Sequence, residues 1–284
     1  MEIAKTIESV RNLVKAARSQ GKKIGLVPTM GALHIGHISL IEAAVKRCEF
    51  VVVSIFVNPT QFGPGEDFEK YPRPLDADLE ICKKAGVDVV FAPAQEQMYG
   101  AENLTWINVE KLTEQLCGQS RPVHFRGVTT VCAKLFNIVE PDIAFFGQKD
   151  GQQAIVIKRM VADLNMPLEI VVCPTIREPD GLAVSSRNQY LNEQQRKDAT
   201  YIYKSLRKCH QMIDAGVKET RNIIAEIRKI LQQVPSIEIE YVSIVDVETL
   251  QNIDKITGKI LAAVAVRIGT ARLIDNILVD TSKR

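Results

Sequence analysis

The chain has 284 residues, 46% of them apolar and 25% charged, with a formal net charge of +2. That length is enough for two domains with a sizeable core, and the composition excludes a disordered or collagen-like protein. So small a net charge argues against a nucleic-acid or anionic-membrane partner, and no apolar run approaches the roughly 20 residues of a membrane span. The opening run MEIAKTIESV reads as an amphipathic helix start without the apolar core of a signal peptide. Six cysteines (Cys48, Cys82, Cys117, Cys132, Cys173 and Cys209) are scattered through apolar runs without a Cys-x-x-Cys pair. Buried free thiols in a reducing cytoplasm are expected.

In chain order, a helix is expected over residues 3–19, then a buried strand over 22–28. Next comes a helix whose apolar residues recur at helical spacing from Ile38. The continuous β-branched run 50–57 has the pattern of a strand covered on both faces. A polar loop from Asn58 follows, then a helix over 75–85 and a strand over 87–91. A short strand is expected at 106–109 and a loop at 121–127. Helix 128–138, strand 142–146, helix 152–164 and strand 169–173 complete the alternation. Such alternation predicts βαβ crossovers and an α/β fold with a parallel, Rossmann-like sheet over residues 1–175. From 176 to 284 the pattern changes to long charged helices (193–215 and 218–232) and strands at 237–245, 260–268 and 272–279. We read this as a smaller C-terminal α+β domain, a candidate lid with the ligand between the two units.

Four stretches carry the chemistry. The first is TMGALHIGH, residues 29–37, between the first strand and its helix. Two of the chain's four histidines, His34 and His37, fall on one face of the first helical turn. Gly36 between them lets a bulky ligand approach the backbone. A helix N-terminus attracts anions, and imidazoles add directed donors, so a polyphosphate is the fitting ligand. Zinc fits less well, because no glutamate accompanies the pair at metalloprotease spacing. The second stretch is Gly147, Gln148, Lys149 and Asp150, at a strand end where open parallel sheets bind ligands. Lys149 suits a phosphate, and Asp150 a ribose hydroxyl or a helix cap. The third is Val184, Ser185, Ser186 and Arg187, two hydroxyls beside a guanidinium in the linker. The fourth is the loop from Asn58 to Gln61, with neutral amides for a small polar substrate.

Taken together, PTMGALHIGH (28–37), FVNPTQFG (56–63), HFRG (124–127), FGQKD (146–150) and SSRN (185–188) closely resemble the pantoate–β-alanine ligase family. His-x-Gly-His alone would place the chain only in the wider nucleotidyltransferase superfamily. The resemblance implies that ATP adenylylates the carboxylate of (R)-pantoate and that β-alanine then attacks the adenylate, giving pantothenate, AMP and pyrophosphate. It implies catalytic roles for His34, His37, Lys149 and Arg187. It also implies ATP contacts from Met30, Gly31, Ala32, Leu33, His34, Ile35, Gly36 and His37, from Gly147 to Asp150, and from Ile176, Val184, Ser185, Ser186 and Arg187. Gln61 and Gln153 match the family's pantoate glutamines, Gln61 also lying near the β-alanine position, with Asn58 and Tyr71 in the same pocket. Mg²⁺ is expected with the nucleotide, and Asp78 is a candidate ligand for it. The family usually has Met or Leu where Val184 stands, which loosens packing on adenine without changing the chemistry. A homodimer is implied as well. The alternatives are a nucleotidylyltransferase that stops at the adenylylated product and a non-catalytic nucleotide-binding module. A tRNA synthetase is disfavoured by size and by the lack of a basic extension.

Overall fold

A computed structural model describes residues 1–282. Its main element is a six-stranded, all-parallel sheet in the order β1-β4-β3-β2-β5-β6. The strands are β1 (Glu2–Ala4), β2 (Ile24–Thr29), β3 (Phe50–Ile55), β4 (Val89–Phe91), β5 (Ile143–Gly147) and β6 (Glu169–Cys173). Alternate residues serve opposite faces, as the period of two requires. Val52, Ala144 and Phe146 join α1 (Ile7–Ser19), α6 (His124–Val139) and α7 (Gly151–Asp163) in one core. Val51, Val53 and Phe145 join α2 (Ile35–Val45) and α3 (Leu75–Lys84) in the other. The short turns α4 (Gln95–Met98) and α5 (Cys117–Ser120) lie between α3 and α6.

Several boundaries differ from the sequence reading. Residues 2–4 form an edge strand paired with Val89–Phe91 instead of helix, because Thr6 caps α1 by accepting the Ser9 amide at 3.2 Å. No strand forms at 106–109; the chain there has no regular structure, and Ile107 N–H donates to the Thr130 hydroxyl instead of to a neighbouring strand. Helix α6 begins at His124, four residues before the expected start. The long helix expected over 193–215 is interrupted at Ala199, giving α8 (Glu193–Asp198) and α9 (Thr200–Asp214). All six cysteines are free and buried.

The smaller domain pairs α9 and α10 (Thr220–Leu231) with an antiparallel sheet of β7 (Ile237–Asp246), β8 (Lys259–Ile268) and β9 (Ala271–Asp280). On β8, Ile260, Ala262, Val264 and Val266 face the two helices. Leu261 and Ala263 point the other way and enter a core of the large sheet. The small sheet is therefore an apolar sandwich filling, and that seating carries the start of β9 to the carboxyl ends of the large sheet's strands.

Candidate active site

The strand order reverses between β2 and β5: the chain first adds β3 and β4 on one side, then returns to add β5 and β6 on the other. The carboxyl ends of β2 and β5 thus flank the crevice where open α/β sheets bind ligands. Beyond β2 the chain turns back sharply through Gly31 (φ +84°) and Ala32 (φ +51°). Asp78, buried in α3, holds this turn by accepting the amides of Ala32 at 2.9 Å and Leu33 at 2.7 Å. Burial raises its pKa, while those amides oppose the rise. Both carboxylate oxygens thus accept backbone amides, and Asp78 does not line the cavity; its place in the structure is that of a brace for the turn. Among the described residues no group of three or more His, Cys, Asp or Glu could hold a metal ion.

The turn delivers His34 to the N-cap of α2. Gly36 N–H donates to His34 Nδ1 at 3.2 Å, and His34 N–H donates to His37 Nδ1 at 3.3 Å. Two imidazoles therefore occupy the places that Ser or Thr and Glu usually take in a reciprocal capping box. Because each Nδ1 accepts, each ring carries its proton on Nε2 and presents an N–H donor away from its own backbone. The ring centroids are 4.1 Å apart. Burial, reinforced by Lys149, lowers the His34 pKa to about 4; burial, reinforced by His34, lowers that of His37 to about 3. Both rings are neutral at physiological pH. Below about pH 6.5 the unfolded chain binds protons that these rings refuse, so acid costs stability down to their folded pKa values. The rings therefore meet a polyphosphate as neutral donors, and we expect ATP binding at about pH 8 to proceed without proton uptake by them; calorimetry in buffers of differing ionisation enthalpy measures it, and heats that differ between the buffers would contradict it.

On the other side of the crevice, β5 ends at Gly147, and a tight turn (Gln148–Asp150) leads into α7. Lys149 Nζ lies 3.6 Å from Asp150 Oδ1. Burial opposes the charge on Asp150, yet Lys149, Arg187, His124 and His37 hold its pKa below the usual range. Asn58 and Gln61, at the two ends of the turn Pro59–Gln61, line the same cavity. Asn58 Nδ2 donates to Gln61 Oε1 and to Gly127 O, both at 3.1 Å, and Gln61 Nε2 lies 3.0 Å from Met30 Sδ. Tyr71 is buried, which raises its pKa, and hydrogen-bonds Ser186.

These groups border one cavity of about 780 Å³. It brings together Met30, His34, Gly36 and His37; Asn58, Gln61 and Tyr71; Gly147, Lys149, Asp150 and Gln153; and Ile176 with Val184 to Arg187. Five other expected contacts lie off this wall. Leu33 belongs to the core under α2, Ile35 is exposed, and Gly31, Ala32 and Gln148 shape the turns behind the lining residues. Gln152, adjacent to Gln153, spends its amide on Cys117 N, Leu112 O and Gln115 O.

Sequence reading overlooked two ion pairs on the cavity lining. Arg187 donates to Asp67 from Nε and Nη2, both at 3.0 Å. Arg121 grips Glu66 at 2.7 and 2.6 Å. His124, its pKa lowered to about 4 by burial and Arg121, sits with Nδ1 2.9 Å from Gln61 O. The only signal was an acidic pair, Glu66-Asp67, in a glycine-bounded loop, which fits any solvated turn. If Arg187 grips a nucleotide phosphate, that phosphate competes with Asp67 for it. Asp67→Asn should therefore lower the KM for ATP about fivefold, on the scale of the ~1 kcal/mol such pairs contribute; an unchanged or higher KM would show that Arg187 is not released.

A parallel sheet with imidazoles, lysine and arginine gathered on one cavity is the arrangement that the resemblance to nucleotidyltransferases of the His-x-Gly-His kind implies. A model of the pantoate-beta-alanine ligase family matches residues 2–278. The chain is 55% identical over 282 residues to the pantothenate synthetase of Moorella thermoacetica, covering 99% of this chain and all of that one. It is 54% identical to the pantothenate synthetase of Thermoanaerobacter pseudethanolicus over 98% of each chain. The crystal structure of the Thermus thermophilus pantothenate synthetase superposes with a TM-score of 0.93 at 43% identity, covering 98% of this chain and 99% of that one. The Francisella tularensis pantoate-beta-alanine ligase, complexed with beta-gamma ATP and beta-alanine, gives 0.80 at 37% identity, with 98% and 97% covered. This chain belongs to the pantoate-beta-alanine ligase family.

Proposed function

We propose that the chain condenses (R)-pantoate with β-alanine at the expense of ATP, giving pantothenate, AMP and pyrophosphate through a pantoyl adenylate. The observation that carries this reading is the meeting of His34, His37, Lys149 and Arg187 on one cavity at the reversal point of the sheet, in a chain of this family. The neutral Nε2–H groups of His34 and His37 donate to phosphate oxygens as charge builds during attack on the α-phosphorus. Lys149 and Arg187 hold the β and γ phosphates, supported by Ser185 and Ser186. Gln61 and Gln153 orient the pantoate hydroxyls without neutralising the carboxylate that must act as nucleophile. Alignment of that carboxylate with the phosphorus and its leaving group can save roughly 7–11 kcal/mol of barrier. Exclusion of water protects the mixed anhydride until β-alanine arrives.

Mg²⁺, a hard cation that needs few protein ligands, would neutralise charge on the nucleotide phosphates. Asp150, an oxygen donor on the cavity wall beside Lys149, suits it. We assign residues 1–175 to ATP and pantoate and 176–284 to a covering unit, and place the protein in the cytoplasm as a homodimer. No described helix is long and apolar enough to cross a membrane. Leu104 and Trp106 offer exposed apolar surface of the kind that interfaces cover. The deciding experiment mixes purified protein with ATP, Mg²⁺ and pantoate and then adds β-alanine. Pantothenate and AMP should appear together. Pyrophosphate release that never leads to pantothenate would favour an enzyme that stops at the adenylylated product.

A further inference from the structure

We infer that Asn276, on β9 of the small domain, is a positioning residue that holds Lys149 in its phosphate-gripping place. The inference rests on the proposed contact of Lys149 with phosphate. Asn276 is buried, and its amide is wholly committed to the turn Gln148–Asp150. Nδ2 donates to Gln148 O at 3.0 Å and to Lys149 O at 2.9 Å, while Oδ1 accepts from Gln148 Nε2 at 2.8 Å. Neither this turn nor α7 behind it has a side-chain cap of its own. The fit is close: a Cβ at Gly151 would stand 3.0 Å from Asn276 Oδ1 and 2.9 Å from Gln148 Nε2. With two successive carbonyls fixed, the backbone that launches the lysine side chain has one arrangement.

The neighbouring residue does the same for the arginine side of the cavity. Asp275 accepts Arg177 Nη1 at 2.6 Å and Nη2 at 3.0 Å, and the Arg177 guanidinium lies 3.7 Å from the centre of the Tyr203 ring. Arg177 pairs with Ala183 across a small hairpin that runs directly into Ser185 and Arg187. Two consecutive β9 residues thus set the spacing between Lys149 and Arg187. Rotating the small domain as a rigid body would break the Asn276 bonds, so Lys149 is in place only while that domain is seated.

The test is a double-mutant cycle on adenylate formation, read as pyrophosphate release from ATP and pantoate. Asn276→Ala should lower kcat about 10- to 100-fold, as a displacement near 1 Å does, with the KM for pantoate unchanged. Asn276→Asp keeps the side-chain shape but sets a carboxylate against two carbonyl oxygens, and should cost at least as much. Lys149→Ala alone should be deeply impaired, and adding Asn276→Ala to it should cost less than about threefold more, because the two act as one unit. Thermal unfolding of each variant checks that the fold persists. A tolerated Asn276→Asp, or losses that multiply in the double variant, would overturn the positioning role while leaving that of Lys149 intact. An unaffected Lys149→Ala would overturn the role of Lys149 and this inference with it.

Discussion

His37→Ala should slow adenylate formation about 10²–10³-fold, the loss that follows removal of one preorganised donor from a developing oxyanion. His37→Gln should keep most of the rate. Glutamine at this position can still accept the His34 amide, as it does in an ordinary capping box, and its Nε2 still donates towards the cavity. What it cannot do is give up a proton. The contrast separates charge stabilisation from acid catalysis, and the burial that lowers the His37 pKa to about 3 favours the former. Quenched-flow measurement of pyrophosphate release decides it: a glutamine variant as slow as the alanine one would mean that the ring delivers a proton after all. Loss of the cap in the alanine variant should cost about 1 kcal/mol of stability, visible as a lower Tm.

Gly127→Ala should be nearly as damaging, although Gly127 makes no side-chain contact at all. The first turn of α6 lies against the turn that carries Asn58 and Gln61. A Cβ on Gly127 would stand 2.4 Å from Thr60 O and 2.6 Å from Gln61 Cα, both main-chain atoms without rotamers to escape into. The turn must move by several tenths of an ångström, taking with it the bond from Asn58 Nδ2 to Gly127 O and the amide of Gln61. We expect about a 100-fold loss of kcat/KM for pantoate and about 1–3 kcal/mol of destabilisation. Gly100→Ala, where a Cβ meets nothing within 4 Å, is the control and should leave both unchanged. Equal behaviour of the two variants in steady-state kinetics and thermal unfolding would refute the close approach.

The same glycine shows where sequence reading stops. The strand runs 50–55 and 143–147 and the helices behind them were legible because apolar periodicity is a local signal. The stretch 121–127, with its proline and glycine, has the composition of a loop. It is half helix, because Gly127 is required by a partner 67 residues away, Thr60. The edge strand at residues 2–4 was hidden for the opposite reason, being too short to show any period. Among the residues lining the candidate site, those with unusual local chemistry stand out in sequence: paired imidazoles, a lysine after a strand, two serines before an arginine. Residues that matter through a distant partner do not. Asp67, Glu66, Arg121 and Asn276 have no distinction until folding sets each beside its counterpart, and a carboxylate on a helix, such as Asp78, gives no hint of the amides it caps.

The bond between Asn276 and Lys149 spans 127 positions of sequence. It joins the small domain to the large sheet, so it forms only once both units have folded and docked. A molecule that has completed its parallel sheet during refolding would already display both imidazoles, yet would lack the anchored lysine. Enzymatic competence should therefore return after spectroscopic signs of helix and strand have recovered, and a half-built molecule would not waste nucleotide on an anhydride it could not shelter.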